Sequence, residues 1–123
     1  MKNIEIIMIP TPDLASPEAA TRTQGRHAAK EFYKKLGLLV VTETTDAHGD
    51  PWIQMGFPGQ DTTISLAGFH AIICETDSIE KDIDELKKKG IEVGKIDNTP
   101  WGRFAWTKDP AGNGICLHEK PKE

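Results

Sequence analysis

Three tryptophans and an arginine are the side chains of this chain best suited to holding a small molecule. Trp52 and Trp106 fall in strand-like segments, whereas Trp101 lies in the loop-like segment Thr99-Pro-Trp-Gly-Arg103. An indole in a loop can stack on a planar ligand, and the guanidinium of Arg103 can pair with an anionic group. The alternative for Trp52 and Trp106 is core packing, because aromatic area dominates small cores. A surface ion pair is an equal alternative for Arg103.

One histidine and one cysteine are the candidates for chemistry. His70 opens an apolar strand, where a neutral imidazole can bind a substrate or act as a base. Its alternative is a hydrogen-bonded structural histidine. Cys116 lies in the last strand and fits an inert core thiol better than a nucleophile, because no neighbouring feature suggests a lowered thiol pKa. With neutral side chains from the neighbouring strands, the predicted ligand-binding residues are Trp52, Gln54, Met55, His70, Trp101, Arg103, Trp106 and Cys116.

The elements that must position these residues occur twice. Tyr33-Lys-Lys-Leu-Gly-Leu-Leu-Val40 is followed 53 residues later by Leu86-Lys-Lys-Lys-Gly-Ile-Glu-Val93, each a helix end, a glycine stop and the start of an apolar strand. An apolar strand precedes each copy and a hairpin follows it. Such a repeat predicts two copies of a small βαβββ unit, with a ligand cleft between them.

The two copies differ in length. Asp13 and Gly37 are 24 positions apart, but Asp77 and Gly90 are only 13 apart. The first copy therefore carries an insertion around Ser16 to Gln24, and an insertion in one repeat often becomes a loop or lid over the site.

Helix and strand boundaries follow from local patterns. Gly25 is predicted to interrupt the first helix, whose firmer part runs from Arg26 to Leu36. Ser78 and its neighbours predict a capped start for the second helix. Glu92 to Ile96 is predicted to be the first strand after that second helix.

Composition limits the classes of function. The chain has 123 residues, 37% of them hydrophobic, which suits a single domain over residues 1–123 with modules at 1–67 and 69–120. A net charge of −4 without a basic stripe argues against nucleic acid. No targeting or membrane-spanning segment is evident, so no membrane partner and a cytoplasmic location are expected. Cys74 and Cys116 are predicted to be free thiols.

Several of these pieces together resemble one family. Phe32-Tyr-Lys-Lys-Leu-Gly-Leu38, Leu86-Lys-Lys-Lys-Gly90, Trp101-Gly-Arg-Phe104 and Lys108-Asp-Pro-Ala-Gly-Asn113 are similar to segments of the vicinal oxygen chelate superfamily, also called the glyoxalase, bleomycin-resistance and dioxygenase family. The resemblance implies an α+β fold in which paired βαβββ modules form a curved mixed sheet around a cleft, usually in a homodimer. It does not imply one activity, because lyases, isomerases, dioxygenases and metal-free drug-binding proteins share the frame.

Metal-dependent members of the family place ligands on the first and last strands of each module. The corresponding positions here are Ile6, Ser65, His70 and Cys116, of which only His70 is a typical ligand. We therefore predict no metal and no other cofactor. If a divalent metal does bind, His70, Cys116 and Glu119 are the residues that the sequence offers.

Two functions remain open. The first is metal-free binding or sequestration of a small apolar or aromatic molecule in the cleft. The second is an enzyme of the same superfamily, either a metal-dependent lyase, isomerase or dioxygenase with an atypical site around His70, or a metal-free enzyme with His70 as acid or base. The missing metal ligands favour binding.

Overall fold

The computed structural model describes residues 1–11, 19–46, 49–67 and 69–122, with the backbone alone at 19–22. It contains two compact units, one formed by Ile6–His70 and the other by Met1–Glu5 and Ala71–Glu123. Strand β1 (Asn3–Pro10) contributes residues to both units. Each unit contains a helix and at least three further strands, which confirms the predicted α+β class.

The unit Ile6–His70 continues with α1 (Ala19–Lys35), β2 (Leu39–Thr45), β3 (Pro51–Gly56) and β4 (Thr63–Ala67). β1 pairs with β4 in parallel, whereas β4 with β3 and β3 with β2 are antiparallel. A buried cluster joins this sheet to α1 through the side chains Leu38, Ile53, Met55, Leu66, Ala29, Tyr33 and Ile64.

The second unit contains β5 (Ala71–Glu75), α2 (Ile79–Lys88), β6 (Asp97–Thr99), β7 (Gly102–Lys108) and β8 (Gly114–Glu119). Its pairing repeats the first unit: β5 is parallel to β8, and β8 with β7 and β7 with β6 are antiparallel. The side chains packed between this sheet and α2 are Ile79, Ala105, Leu117, Ile83, Leu86, Val93 and Ile96. Both units therefore have the predicted βαβββ order.

Two predictions about local structure are wrong. Helix α1 runs through Gly25 without a break. A single glycine in a helix costs only about 1 kcal/mol, and the tertiary contacts of the helix exceed that cost. In the second unit β6 begins at Asp97, so Glu92 to Ile96 is not a strand. Val93 and Ile96 are three positions apart, so they cannot share one face of a strand, yet both pack against the cluster under α2.

The helix ends follow the sequence more closely. Gly37 and Gly90 lie just after α1 and α2, and their positive φ angles of 107° and 84° end the two helices. Ser78 is the N-cap of α2, and its side chain accepts a hydrogen bond from the Lys81 N–H. Residues 16–18 of the predicted insertion around Ser16 to Gln24 lie outside the described residues, and the rest of the insertion forms the start of α1. No helix in the described part of the chain is both long and apolar enough to cross a membrane.

Strand β8 ends in two buried ionisable side chains that point in opposite directions. Glu119 accepts a hydrogen bond of 3.1 Å from the backbone N–H of Ile79, the first residue of α2. His118 lies 2.9 Å from Glu5 through Nδ1 and 2.8 Å from the Trp101 carbonyl oxygen through Nε2. Burial lowers the pKa of His118, but these two hydrogen bonds outweigh it, so the pKa is raised above 6.5.

We expect stability to depend on the charge of His118. Its raised pKa in the folded state means that the contribution is fully present below about pH 6.5 and is lost as the pH rises through the folded value. The urea midpoint of the wild type should therefore fall from pH 6 to pH 8.5. The His118→Gln variant should show a smaller fall, and equal pH slopes for the two proteins would contradict this assignment.

Gly102 permits a close approach between the β6–β7 turn and β8. Its φ is +120°, and a Cβ there would lie 2.3 Å from the Glu119 carbonyl oxygen and 2.9 Å from His118 Nε2. Gly112 also has a positive φ, of +90°, but a Cβ there meets nothing within 4 Å. Alanine at Gly112 would therefore introduce backbone strain alone, whereas alanine at Gly102 would introduce backbone strain and a steric clash.

We expect Gly112→Ala to cost about 1–2 kcal/mol through backbone strain alone. Gly102→Ala should cost a further 1–3 kcal/mol, roughly, because backbone atoms must move to admit the methyl group. Urea unfolding of both variants at one pH measures the difference. Equal midpoints would show that the turn and β8 are not in close contact.

Candidate functional site

Strands β7 and β8 have one face toward α2 and one face away from it. Ala105 and Leu117 are paired across the strands and lie in the cluster under α2. Because successive side chains in a strand alternate between faces, the flanking pairs lie on the other face. We call this surface the aromatic face, and it comprises Phe104, Trp106, Cys116 and His118. Trp106 is 37% exposed there, so the face presents an accessible indole.

His118 is fixed on three sides. Its Nδ1 lies 2.9 Å from Glu5 Oε1, and its Nε2 lies 2.8 Å from the Trp101 carbonyl oxygen. Its ring stacks on Phe104 at a centroid distance of 4.2 Å and an interplanar angle of 3°. Carboxylate and carbonyl oxygens only accept hydrogen bonds, so the imidazole can donate to both only in its doubly protonated, positively charged form, which agrees with its raised pKa.

The turn before β7 exposes Trp101 on a tied backbone. The Trp101 N–H donates to Thr99 Oγ1 over 3.1 Å, and that hydroxyl donates to the Gly102 carbonyl over 2.8 Å. The carbonyl of Trp101 is the one that His118 holds. The indole is nevertheless 66% exposed. The turn therefore combines a constrained main chain with an accessible aromatic ring.

Arg103 lies on the α2 side of β7, opposite the aromatic face. Its guanidinium bonds to Glu80 of α2 and to Glu119, with 2.9 Å from Nε to Oε2 of Glu119. These hydrogen bonds, first to Glu80 and then to Glu119, raise the pKa of Arg103. The structure thus shows the ion-pair alternative for this residue, with both carboxylates supplied by the chain itself.

In the unit Ile6–His70, the sheet face opposite α1 carries a chain of neutral polar groups. Trp52 Nε1 donates to Gln54 Oε1 over 3.3 Å, and Gln54 Nε2 donates to Thr63 Oγ1 over 2.9 Å. The structure therefore brings Trp52 and Gln54 of the predicted set into contact. Met55 points to the other face, where it is fully buried in the cluster under α1.

His70 and Cys116 differ in their surroundings. His70 is exposed and directly precedes β5 instead of lying in it. Cys116 is fully buried in β8, and burial is the main cause that raises the pKa of its thiol to about 12. The Cys116 side chain is therefore a neutral thiol near pH 7, as the inert-core interpretation expects. Cys74 is likewise a free, buried thiol.

Sequence reasoning missed the group around His118. Glu5, Phe104 and Trp101 surround this imidazole, yet the prediction assigned it no role. Two signals were available: His118 is two positions from Cys116 and so shares its face, and Glu5 is a charged residue inside the apolar strand β1. Neither signal shows that the two residues meet, because 113 positions separate them.

Comparisons with known proteins agree with this fold. Residues 19–117 match the family model described as Glyoxalase/Bleomycin resistance protein/Dioxygenase superfamily. Methylmalonyl-CoA epimerase from Mycobacterium tuberculosis is 17% identical in sequence and has a TM-score of 0.73, with 97% of this chain and 88% of that chain covered. A hypothetical protein from Bacillus halodurans is 13% identical over 98% of this chain and 96% of that chain, with a TM-score of 0.64.

A third similar structure comes from Vibrio splendidus and is described as a glyoxalase/bleomycin resistance protein/dioxygenase superfamily member. It is 12% identical over 94% of this chain and 97% of that chain, with a TM-score of 0.62. No curated protein matches the sequence. At these identities the solved structures support the fold, and the family model covers most of the sequence. The chain belongs to the Glyoxalase/Bleomycin resistance protein/Dioxygenase superfamily.

Proposed function

We propose that this protein binds or sequesters a small, largely apolar or aromatic molecule without using a metal ion. The observation that supports the proposal is the aromatic face of β7 and β8, with accessible Trp106 and the exposed Trp101 in the adjoining turn. Aromatic walls with a few fixed polar groups are typical of small-molecule sites. The superfamily includes bleomycin resistance proteins, so such a ligand is compatible with membership.

The side chains at the family's metal positions do not fit a divalent ion. Ile6 has no donor atom, and the Ser65 hydroxyl is a poor ligand. Cys116 offers a fully buried thiol at a position where metal-dependent members of the family usually have a carboxylate. Among residues 1–11, 19–46, 49–67 and 69–122, no three His, Cys, Asp or Glu side chains lie together as a metal site.

The alternative metal ligands, His70, Cys116 and Glu119, are also poorly placed to bind one ion. Cys116 and Glu119 are three positions apart on β8, so they point to opposite faces of the strand. Glu119 is directed to the N-terminus of α2, where it accepts the Ile79 N–H. The two side chains cannot converge on one ion without breaking that contact.

The enzyme alternative within the superfamily predicts a different set of results. It needs His70 as a ligand or as an acid or base, and its exposed position leaves it accessible to a reactant. Under that alternative His70→Ala abolishes turnover. Under the binding proposal His70→Ala changes affinity at most, and no product forms.

Metal content tests the central part of the proposal. We expect untagged protein that is incubated with zinc, nickel, manganese or ferrous iron, and then desalted, to retain far less than one ion per chain by mass spectrometry. Because the donors at the family positions do not fit, retention should not depend on His70, and His70→Ala is the matched control. Stoichiometric retention that is lost in His70→Ala would overturn the proposal in favour of a metal-dependent enzyme.

Ligand binding tests the aromatic surface directly. Isothermal titration with bleomycin A2 and with 8-anilinonaphthalene-1-sulfonate uses two probes with planar rings. We expect Trp101→Ala to weaken binding of a probe by about 5- to 30-fold, the usual range for an aromatic anchor. Phe32→Ala is the matched control, because Phe32 is 58% exposed on α1 and is not one of the residues of the proposed surface. Equal losses in both variants would show that the probes bind nonspecifically to exposed aromatic rings.

The expected homodimer and cytoplasmic location belong to the same proposal. Light scattering after size-exclusion chromatography measures the first, and fractionation of cells measures the second.

A further inference from the structure

The backbone around the exposed Trp101 is held by three hydrogen bonds. The local bonds of Thr99 fix the N–H of Trp101 and the carbonyl of Gly102, at 3.1 and 2.8 Å. The carbonyl of Trp101 is held from outside the turn, by His118 Nε2 at 2.8 Å. A turn that only reverses the chain does not need a hydrogen bond from another strand. We call this bond from His118 Nε2 to the Trp101 carbonyl the tie.

The tie itself is anchored in the core. His118 is 7% exposed, stacks on Phe104 and is oriented by Glu5 through its other nitrogen. Glu5 lies in β1, so the Trp101 carbonyl is connected through one imidazole to β8 and to β1. The imidazole can rotate only by breaking the Glu5 bond and the ring stack together.

Local sequence makes room for this contact. Gly102, the residue after Trp101, has a φ of +120°, and a Cβ there would approach His118 Nε2 to 2.9 Å. The glycine therefore allows the imidazole to reach the Trp101 carbonyl. Three features position one imidazole: the space left by Gly102, the ring stack on Phe104 and the Glu5 carboxylate.

Fixing the backbone of an exposed aromatic residue matters for binding. Ordering a mobile loop when a ligand arrives costs affinity, and a loop that is ordered beforehand avoids that cost. Tryptophan offers a large contact area with few side-chain torsions to freeze, so a tied Trp101 is a preformed stacking surface.

We propose that Glu5 and His118 are positioning residues that hold the backbone of Trp101, so that its indole is preformed for stacking on a planar aromatic ring of the ligand. The inference rests on the proposed binding function and adds to it a ligand class and a mechanism of preorganisation. His118 belongs to the aromatic face, but it is 7% exposed and bonded through both ring nitrogens, so its role is to act through Trp101 and not to contact the ligand.

Two amide variants of His118 distinguish the loss of the hydrogen bond to Trp101 from the loss of the imidazole ring itself. The Gln amide nitrogen occupies a place close to Nε2, so His118→Gln retains a donor for the Trp101 carbonyl. The Asn amide nitrogen lies close to Nδ1, so His118→Asn retains the donor for Glu5 and releases Trp101. Both variants lose the ring stack on Phe104 and one of the two hydrogen bonds, and only His118→Asn loses the bond to Trp101.

Hydrogen exchange by NMR measures the tie without any ligand. We expect the backbone amides of Trp101 and Gly102 to exchange about 10-fold faster in His118→Asn than in His118→Gln, while amides of α1 exchange alike in both. Equal rates in the two variants, or slower exchange in His118→Asn, would overturn the inference.

A measurement on the wild-type protein covers the case in which neither variant folds. The proton on His118 Nε2 should be observable in the imidazole region of the NMR spectrum, slow to exchange, with a nuclear Overhauser effect to Trp101 or Gly102. A rapidly exchanging Nε2 proton without that effect would overturn the tie.

Binding of bleomycin A2 and 8-anilinonaphthalene-1-sulfonate distinguishes this inference from the function on which it rests. We expect His118→Asn to lose about 10-fold in affinity and His118→Gln less than about 3-fold. If the wild type binds a probe and the two variants lose affinity equally, the positioning role is wrong and the binding function stands. If the wild type binds neither probe, the binding proposal fails, and the exchange rates alone decide whether His118 holds the turn.

Discussion

The parallel pairing of the first and last strand in each unit determines which side chains are free to meet a ligand. β1 with β4 and β5 with β8 are parallel, and a tight turn cannot connect parallel strands. The chain must therefore leave the sheet after the first strand, and each unit does so through one helix packed on one face. Alternate residues of the inner strands, such as Met55 in β3 and Leu117 in β8, are then buried under a helix, and the residues between them lie on the other face. This alternation places Met55 under α1, and it leaves Trp106 and Trp52 on the opposite faces of their sheets.

The end of β8 shows the same alternation acting on charged groups. Glu119 points toward α2, where it accepts the N–H of the fully buried Ile79 and pairs with Arg103. An unpaired buried amide would be costly, so this carboxylate completes the start of the helix together with the Ser78 cap. His118, one position earlier, points away from α2 and connects Glu5 with the Trp101 turn. Two adjacent ionisable residues therefore hold the start of α2 on one face and the turn that carries Trp101 on the other.

Sequence reasoning predicted the features that depend on short-range patterns. The repeat, the α+β class, the glycine stops at Gly37 and Gly90 and the capped start of α2 are all encoded within a few positions. It failed where a tertiary contact decides: the packing of α1 outweighs the helix-breaking tendency of Gly25, and Val93 and Ile96 reach the core without forming a strand. A shift of one residue changes the face of a strand, so the sequence predicts both Gln54 and Met55 as ligand-binding residues, whereas the structure places them on opposite faces and buries Met55 under α1.

The candidate site was harder to predict than the fold because its central contact is long-range. Trp101 and Arg103 were both identified in one loop, but the pattern cannot show that Glu80 and Glu119 already occupy the guanidinium. Sequence patterns also cannot show the role of His118, because its partner Glu5 is 113 positions away. Which charges meet is decided by strand register across the sheet, and a register is a property of the assembled structure.

The state of His118 also bears on the choice between binding and catalysis. A histidine beside a carboxylate resembles the base of many hydrolytic enzymes, in which the carboxylate orients the ring and the other nitrogen takes a proton. That role needs a free lone pair on the second nitrogen. Here Nε2 donates to the Trp101 carbonyl and the ring is 7% exposed, so no lone pair is available to a substrate while the turn stays in place. The arrangement that would make a base in another site makes a fixed hydrogen-bond donor in this one, which fits a surface preformed for binding.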